Sequence, residues 1–272
     1  MNRLGRRYVH LVTVGASLLN NAVAQDQQVR NLVGGQKRID EVERLLVEGK
    51  VNREDLVKAL RSYVDKAGYR ASAELNSISD YLAKRKVDLV YLLHTDTKVG
   101  SICGETLELY FWDKGIDAKG ETIEGFMSER EFAERGLQNL LIRAHELIKR
   151  HKDDIILLNA TGGFKPEGAA LSIIAFILGK PIYYRHETFG STINIPPLPI
   201  DWNQDMLTHK YRQALMELIN RGSIDKKTFE ERFSKEIAEK LLEEYLVIRE
   251  TGDRYELTPL GRLIYRVAFA DP

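Results

Sequence analysis

Lys165 is the cation in this sequence best placed to do chemistry. It follows the turn Asn159-Ala160-Thr161-Gly162-Gly163, which interrupts the apolar run Ile155-Ile156-Leu157-Leu158. That run suits a parallel strand buried on both faces. Pro166 suits the first turn of a helix, where a missing N–H costs nothing. Gly168 to Leu178 continues as that helix, and Gly179 ends it. A strand, a glycine turn and a helix N-terminus together form an anion site: glycine admits a ligand to the backbone, and free N–H groups point at it. Lys165 adds a full positive charge beside that turn. GxxxxGK[ST] cannot be read here, so this is not a Walker loop. A tight strand-to-helix turn carrying a solvated lysine would give the same pattern, and spacing alone does not choose between the two.

A second turn can meet the first. Tyr8 to Val14 reads as a β-branched strand, followed by Gly15-Ala16-Ser17. Ser17 is expected to cap a helix running through Leu18, Leu19, Ala22 and Val23 toward Val33. A doubly wound sheet gathers such turns at the carboxyl edge of its strands, so Gly15–Ser17 and Thr161–Lys165 would line one crevice. The alternative for Ser17 is a plain helix cap. Val87 to Leu93 is a further strand, ending at the same edge in His94-Thr95-Asp96-Thr97. His94 and Asp96 are too few to hold a metal, so none is expected.

The segment NATGGFKPE resembles the glycine–lysine signature of CARF domains, the sensor domains of type III CRISPR systems. The lysine after two glycines is similar to that of the CRISPR-associated ring nucleases. The resemblance implies an α/β, Rossmann-like CARF domain with a parallel-sheet core, binding cyclic tetraadenylate and cleaving it without metal or cofactor. It makes Lys165 and Ser17 the catalytic residues. Gly15, Ala16, Leu18, Asn159, Thr161, Gly162, Gly163 and Phe164 become ligand contacts. The family carries a Gly-Thr-Ser-type turn at residues 15–17, from which this chain departs with Ala16, losing one hydroxyl. The stretch RASAELNS, Arg70 to Ser77, is also similar to the family's, and reads as a capped helix packing on the sheet. A four-fold ring is best held on a two-fold axis, which implies a homodimer.

The chain has 272 residues, 43% hydrophobic and 29% charged, with zero net charge. That allows one large domain or two smaller ones. Zero net charge argues against a surface that coats nucleic acid, yet permits a local cationic pocket. The lone Cys103 excludes an internal disulfide and any multi-cysteine zinc site, and reads as core. Arg3, Arg6, Arg7 and Ala22-Val23-Ala24 imitate a signal peptide, but His10, Thr13, Gly15 and Ser17 interrupt its apolar stretch. No later segment has the apolar length of a membrane span, so a cytoplasmic protein without membrane contact is expected. Between the first turn and the central one, helices are expected over Asp40–Glu48, from an Asn52 cap through Val64, over Gly100–Trp112 and over Ser128–Arg150. His145 on the last of these reads as structural.

Three of the seven prolines fall in Ile195-Pro196-Pro197-Leu198-Pro199, which marks a boundary between residues 1–199 and 200–272. Beyond it, helices are expected over Gln204–Asn220, Asp225–Phe233, Ser234–Glu244 and Pro259–Val267, with strands at Leu246–Arg249 and Tyr255–Thr258. That order describes a winged-helix domain. From Asn203 to Pro272 there are 12 Lys and Arg against 13 Asp and Glu. The helix in the recognition position carries Glu236, Glu239, Glu243 and Glu244 against Lys235 and Lys240. Phosphate neutralisation dominates DNA binding, so duplex DNA is not an expected partner, and a dimerising or pocket-covering role is favoured. A HEPN nuclease needs Arg and His four to six residues apart, and the only histidine here, His209, has no such arginine. Two readings remain: a ring nuclease, or a non-catalytic CARF–winged-helix sensor or transcriptional regulator.

Overall fold

The structure, a computed structural model, describes residues 6–163, 165–186, 191–195, 209–244 and 247–268. The chain divides into two compact units, Met1–Leu198 and Pro199–Pro272.

In the first unit, β1 (Tyr8–Val14) is followed by α1 (Ser17–Gln25), α2 (Gln27–Leu32), α3 (Ile39–Val47), α4 (Arg53–Ala67) and α5 (Ala73–Ala83). Next come β2 (Leu89–Thr95), α6 (Lys98–Asp113) and β3 (Asp117–Ile123). A short α7 (Glu129–Glu131) runs through a π turn (Phe132–Gly136) into α8 (Leu137–Arg150) and β4 (Ile155–Asn159). The unit continues with α9 (Lys165–Ile177), β5 (Ile182–Tyr184) and β6 (Ile193–Ile195). The strands form one six-stranded sheet in the order β3-β2-β1-β4-β5-β6. β1 to β5 are parallel, and only β6 runs antiparallel, to β5. This is an α/β fold with a Rossmann-like core.

The strand sequences explain the placement. All of β2 and all but the first residue of β1 are buried, as parallel strands covered on both faces require. β3, DAKGETI, exposes most of its residues and takes the edge. From β1 the chain steps outward to β2 and β3, then returns to lay β4 and β5 on the other side of β1. The winding direction therefore reverses between β1 and β4. In open α/β sheets the crevice at such a reversal, outside the carboxyl ends of the strands, is where ligands bind.

Two sequence expectations change. The helix expected from Ser17 toward Val33 is two, because Asp26 is extended and its carboxylate accepts the Gln28 and Val29 N–H groups, starting α2 afresh. Ser17 does not cap α1 either; Ala16 holds the cap position and makes no side-chain cap bond. The Asn52 cap is present, its Oδ1 accepting Asp55 N–H at 3.0 Å, and Cys103 is buried.

The second unit contains α10 (His209–Arg221), β7 (Ser223–Asp225), α11 (Lys226–Phe233), α12 (Lys235–Glu239), β8 (Ile248–Thr251), β9 (Arg254–Leu257) and α13 (Pro259–Ala268). Its antiparallel sheet has the order β7-β9-β8. Leu215, Leu218, Phe229, Leu241, Val247 and Tyr255 fill its core. The strand β7 was not expected, since three residues are too few to show a period. Among the described residues no helix is long and apolar enough to cross a membrane.

His10 sits fully buried in β1. Lys86 O can only accept, at 2.8 Å, so Nε2 carries the proton and Nδ1 accepts from Tyr183 Oη at 3.0 Å. Burial lowers the imidazole from 6.5 to about 4. The folded state keeps His10 neutral while the unfolded chain protonates it. Its contribution is therefore present above pH 6.5 and lost as pH falls toward 4, by about 3 kcal/mol at the end of that window. Burial also lowers His145, which adds a second, smaller slope. The urea midpoint is expected to fall between these pH values and to fall less steeply in His10→Gln, which keeps one donor and one acceptor. Equal slopes in the two proteins would contradict a buried neutral His10.

Candidate functional site

The turns after β1 and β4 meet main chain to main chain. A Cβ built on Gly15 would stand 2.8 Å from both the N and the Cα of Gly163, so nothing larger than glycine fits. Gly163 itself has a φ of +84°, a region L-residues avoid. Hydrogen bonds fix the second turn from both sides. Thr13 Oγ1, in β1, donates to Gly162 O at 2.7 Å. Asn159, fully buried, accepts Thr161 N–H on Oδ1 at 3.0 Å and donates from Nδ2 to Ser77 Oγ at 2.7 Å. Thr161 Oγ1 accepts the Arg185 N–H at 3.1 Å, which ties the turn to the end of β5.

The first turn is held by a residue that sequence reading did not place in the site. Glu74, in the first turn of α5 and 2% exposed, accepts Gly15 N–H on Oε1 at 2.9 Å and Ser17 Oγ–H on Oε2 at 2.7 Å. Ser17 Oγ in turn accepts Ala73 N–H at 3.0 Å. Ser72 caps α5 by accepting Leu75 N–H at 3.2 Å, and the positive end of the helix dipole at that first turn suits a carboxylate. Gly162 lies directly over the Glu74 carboxylate, which a Cβ there would strike. A second buried carboxylate, Glu167 in the first turn of α9, fills the space where a Gly163 side chain would stand.

The residues expected to contact a ligand now have places. Gly15, Ser17, Thr161, Gly162 and Gly163 come together at the reversal between β1 and β4. Lys165 is exposed at the first position of α9 and, among the described residues, has no ion-pair partner. Ala16 is half-buried at the cap of α1. The Leu18 side chain is fully buried in the core, so only its first-turn amide faces outward chemistry. The Asn159 side chain is engaged in holding the turn. Phe164 lies outside the described residues. The polar tail of β2 is structural: Asp96 accepts the Gly125 and Phe126 N–H groups, and His94 Nδ1 lies 3.0 Å from Thr95 O.

Elsewhere in this unit a cavity of about 390 Å³ is lined by Arg53, His94, Glu105, Glu108, Trp112 and Thr122, none of them in either turn. Arg53 is ion-paired with Glu105, and Trp112 Nε1 donates to Ala118 O, so these polar groups already have partners there. Among the described residues no group of three or more His, Cys, Asp or Glu is arranged to hold a metal ion.

Sheet order and paired turns define the class: an α/β protein with a Rossmann-like sheet whose switch-point crevice is floored by glycine backbone and flanked by a lysine. Residues 69–198, just under half of the chain, match the model of a family described as CRISPR-associated protein (Cas_APE2256). The match supports a CRISPR-associated accessory protein. It spans α5 with Glu74 and the β4 turn with Lys165, and leaves the β1 turn outside.

The backbone contact gives a direct test. Gly15→Ala must push two main chains apart, and overpacking of this kind costs about 1–3 kcal/mol. A urea midpoint lowered accordingly is expected, whereas Lys165→Ala, on an exposed side chain, should leave the midpoint where it is. A Gly15→Ala protein as stable as the unmutated one would contradict the contact between the turns.

Proposed function

We propose that this chain is a metal-independent ring nuclease. It binds cyclic tetraadenylate and cleaves it to linear diadenylate with 2′,3′-cyclic phosphate ends, an activity that switches off type III CRISPR signalling. The observation that carries this reading is the meeting of the β1 and β4 turns at the switch point, beside an exposed Lys165 that has no ion-pair partner among the described residues. The CRISPR-associated family match supports the biological setting.

The chemistry asks little of the protein. Each 3′–5′ phosphate of the ring lies beside a ribose 2′-hydroxyl, which attacks in line while the 5′-oxygen leaves. The substrate supplies its own nucleophile, so the step needs neither metal nor cofactor. The protein holds ribose and phosphate in line and stabilises charge on the phosphoryl oxygens. Lys165 and the amides of Gly162 and Gly163 serve that charge, and Ser17 serves the ribose. One ring per homodimer, with the same turns offered from each chain, suits the symmetry of the ligand.

The second unit supports a winged-helix reading, since its elements run helix, strand, helix, helix, strand, strand. That order favours, as the second reading, a non-catalytic sensor or transcriptional regulator. The charges of α12 and of the residue after it weigh against DNA: Lys235 pairs with Glu239 at 3.6 Å and Lys240 with Glu236 at 3.4 Å. Both lysines are thus already engaged, and a dimerising role fits better.

Incubation of the full chain with cyclic tetraadenylate in excess EDTA, followed by chromatography, is expected to yield linear diadenylate with cyclic phosphate ends. Losing one charge-stabilising donor costs about 10²–10³ in rate, so Lys165→Ala should still bind the ring but cleave it at least about a hundredfold more slowly. Ser17→Ala should lose less. No cleavage by the unmutated protein, or cleavage only with added Mg²⁺ or Mn²⁺, would overturn the reading. An intact single-turnover rate with weakened binding in Lys165→Ala would reduce Lys165 to a clamp.

A further inference from the structure

The hydrogen bonds around Ser17 run in one direction only. Ala73 N–H can only donate, so Ser17 Oγ accepts it, at 3.0 Å. Gly15 N–H can only donate, so it occupies Glu74 Oε1 at 2.9 Å. The remaining bond, 2.7 Å between Ser17 Oγ and Glu74 Oε2, then carries the Ser17 proton toward the carboxylate. A serine oxygen has two lone pairs, and one is left. The group that meets Ser17 in the crevice must therefore be a donor, which a phosphate oxygen is not and a ribose 2′-hydroxyl is.

We propose that Ser17 and Glu74 form a proton-accepting relay for the substrate's 2′-hydroxyl, with Glu74 as a positioning residue that acts through Ser17. This rests on the ring-nuclease reading. In the step, the O2′–P bond forms as the P–O5′ bond breaks. The O2′ proton passes to Ser17 Oγ while the proton of Ser17 passes to Glu74 Oε2. The departing 5′-oxygen takes a proton from the Lys165 ammonium or from water. When the product leaves, the proton on Glu74 returns through Ser17 to solvent. The arrangement is built for this. Glu74 is 2% exposed, both its oxygens are oriented by donors from the β1 turn, and Gly162 leaves no side chain over it.

The reading of Ser17 as a helix cap predicts none of this, since a cap accepts from its own helix and Ser17 does not. Glu74 as a mere bracket for the turn predicts that its loss costs stability and binding, without coupling to Ser17 in the rate.

The test is single-turnover cleavage of cyclic tetraadenylate by the unmutated chain, Ser17→Ala, Glu74→Gln and the double variant, beside direct binding and thermal melting. Glutamine keeps the size and an acceptor for Gly15 N–H. Glu74→Gln should cleave at least about tenfold more slowly, but no more slowly than Ser17→Ala, with binding nearly unchanged. The double variant should be no slower than the slower single, because both act through one hydroxyl. Rates that multiply, or a Glu74→Gln protein that cleaves as the unmutated one does, would overturn the relay while leaving the ring-nuclease reading intact. Absence of cleavage by the unmutated chain removes both. A second arm needs no Glu74 variant. A ring carrying 2′-deoxyribose should bind the unmutated chain about fivefold more weakly than the natural ring, the worth of one hydrogen bond, and Ser17→Ala should bind the two rings alike. Equal binding of both rings to the unmutated chain would also overturn the proposal.

Discussion

Gly15 lying on Gly163 is the constraint from which the rest of the site follows. Two strands that are neighbours in a parallel sheet, β1 and β4, end at the same edge, β1 running from the Val12–Asn159 pair on to Val14, and the chain leaves each of them toward a helix. Side chains at the ends of such strands would normally hold the departing segments apart. With glycine at both positions the backbones touch, and the starts of α1 and α9 are brought to one crevice. The contact is unforgiving, because neither partner is a flexible side chain that can rotate away.

Two buried carboxylates lie beneath the paired turns. Glu74 and Glu167 each sit in the first turn of a helix and each lie against one glycine of the second turn. Burying a carboxylate is costly unless its oxygens are satisfied. For Glu74 they are, by Gly15 N–H and Ser17 Oγ–H. The negative charge below also weighs on what could bind above: in the proposed reading, Lys165 and the first-turn amides are what would hold an anionic ligand against it. In that reading, binding and charge placement fall to the same few residues, one hydroxyl and one lysine among them.

Much of this architecture was legible in the sequence. The apolar runs of β1, β2 and β4 mark strands buried on both faces, and the glycine turns after β1 and β4 predict a common edge once the sheet is taken as doubly wound. Asn52 announces its helix by chemistry alone. Glu74 was not read as part of the site, because its partners lie 57 and 59 residues away along the chain. A faint signal existed: Ala71, Leu75 and Ile78 lie on the buried face of that segment, and a carboxylate among them asks for a buried partner. The role of Ser17 is hidden from the sequence for a related reason. A serine after a strand and a glycine is the usual cap, and only the position of Ala73 and Glu74 reveals that its hydroxyl serves another helix. The break at Asp26 and the three-residue β7 are local features too short for periodicity to register.

The central claim is that the turns of β1 and β4 form a single ligand site. Amide hydrogen exchange, followed by mass spectrometry on the unmutated chain with and without cyclic tetraadenylate, tests it most directly. The account predicts that peptides covering residues 13–18 and 159–165 slow together on adding the ring, while those covering residues 101–122, beside the separate cavity, do not change. Protection of one turn without the other, or of the 101–122 region alone while the ring binds, would contradict it.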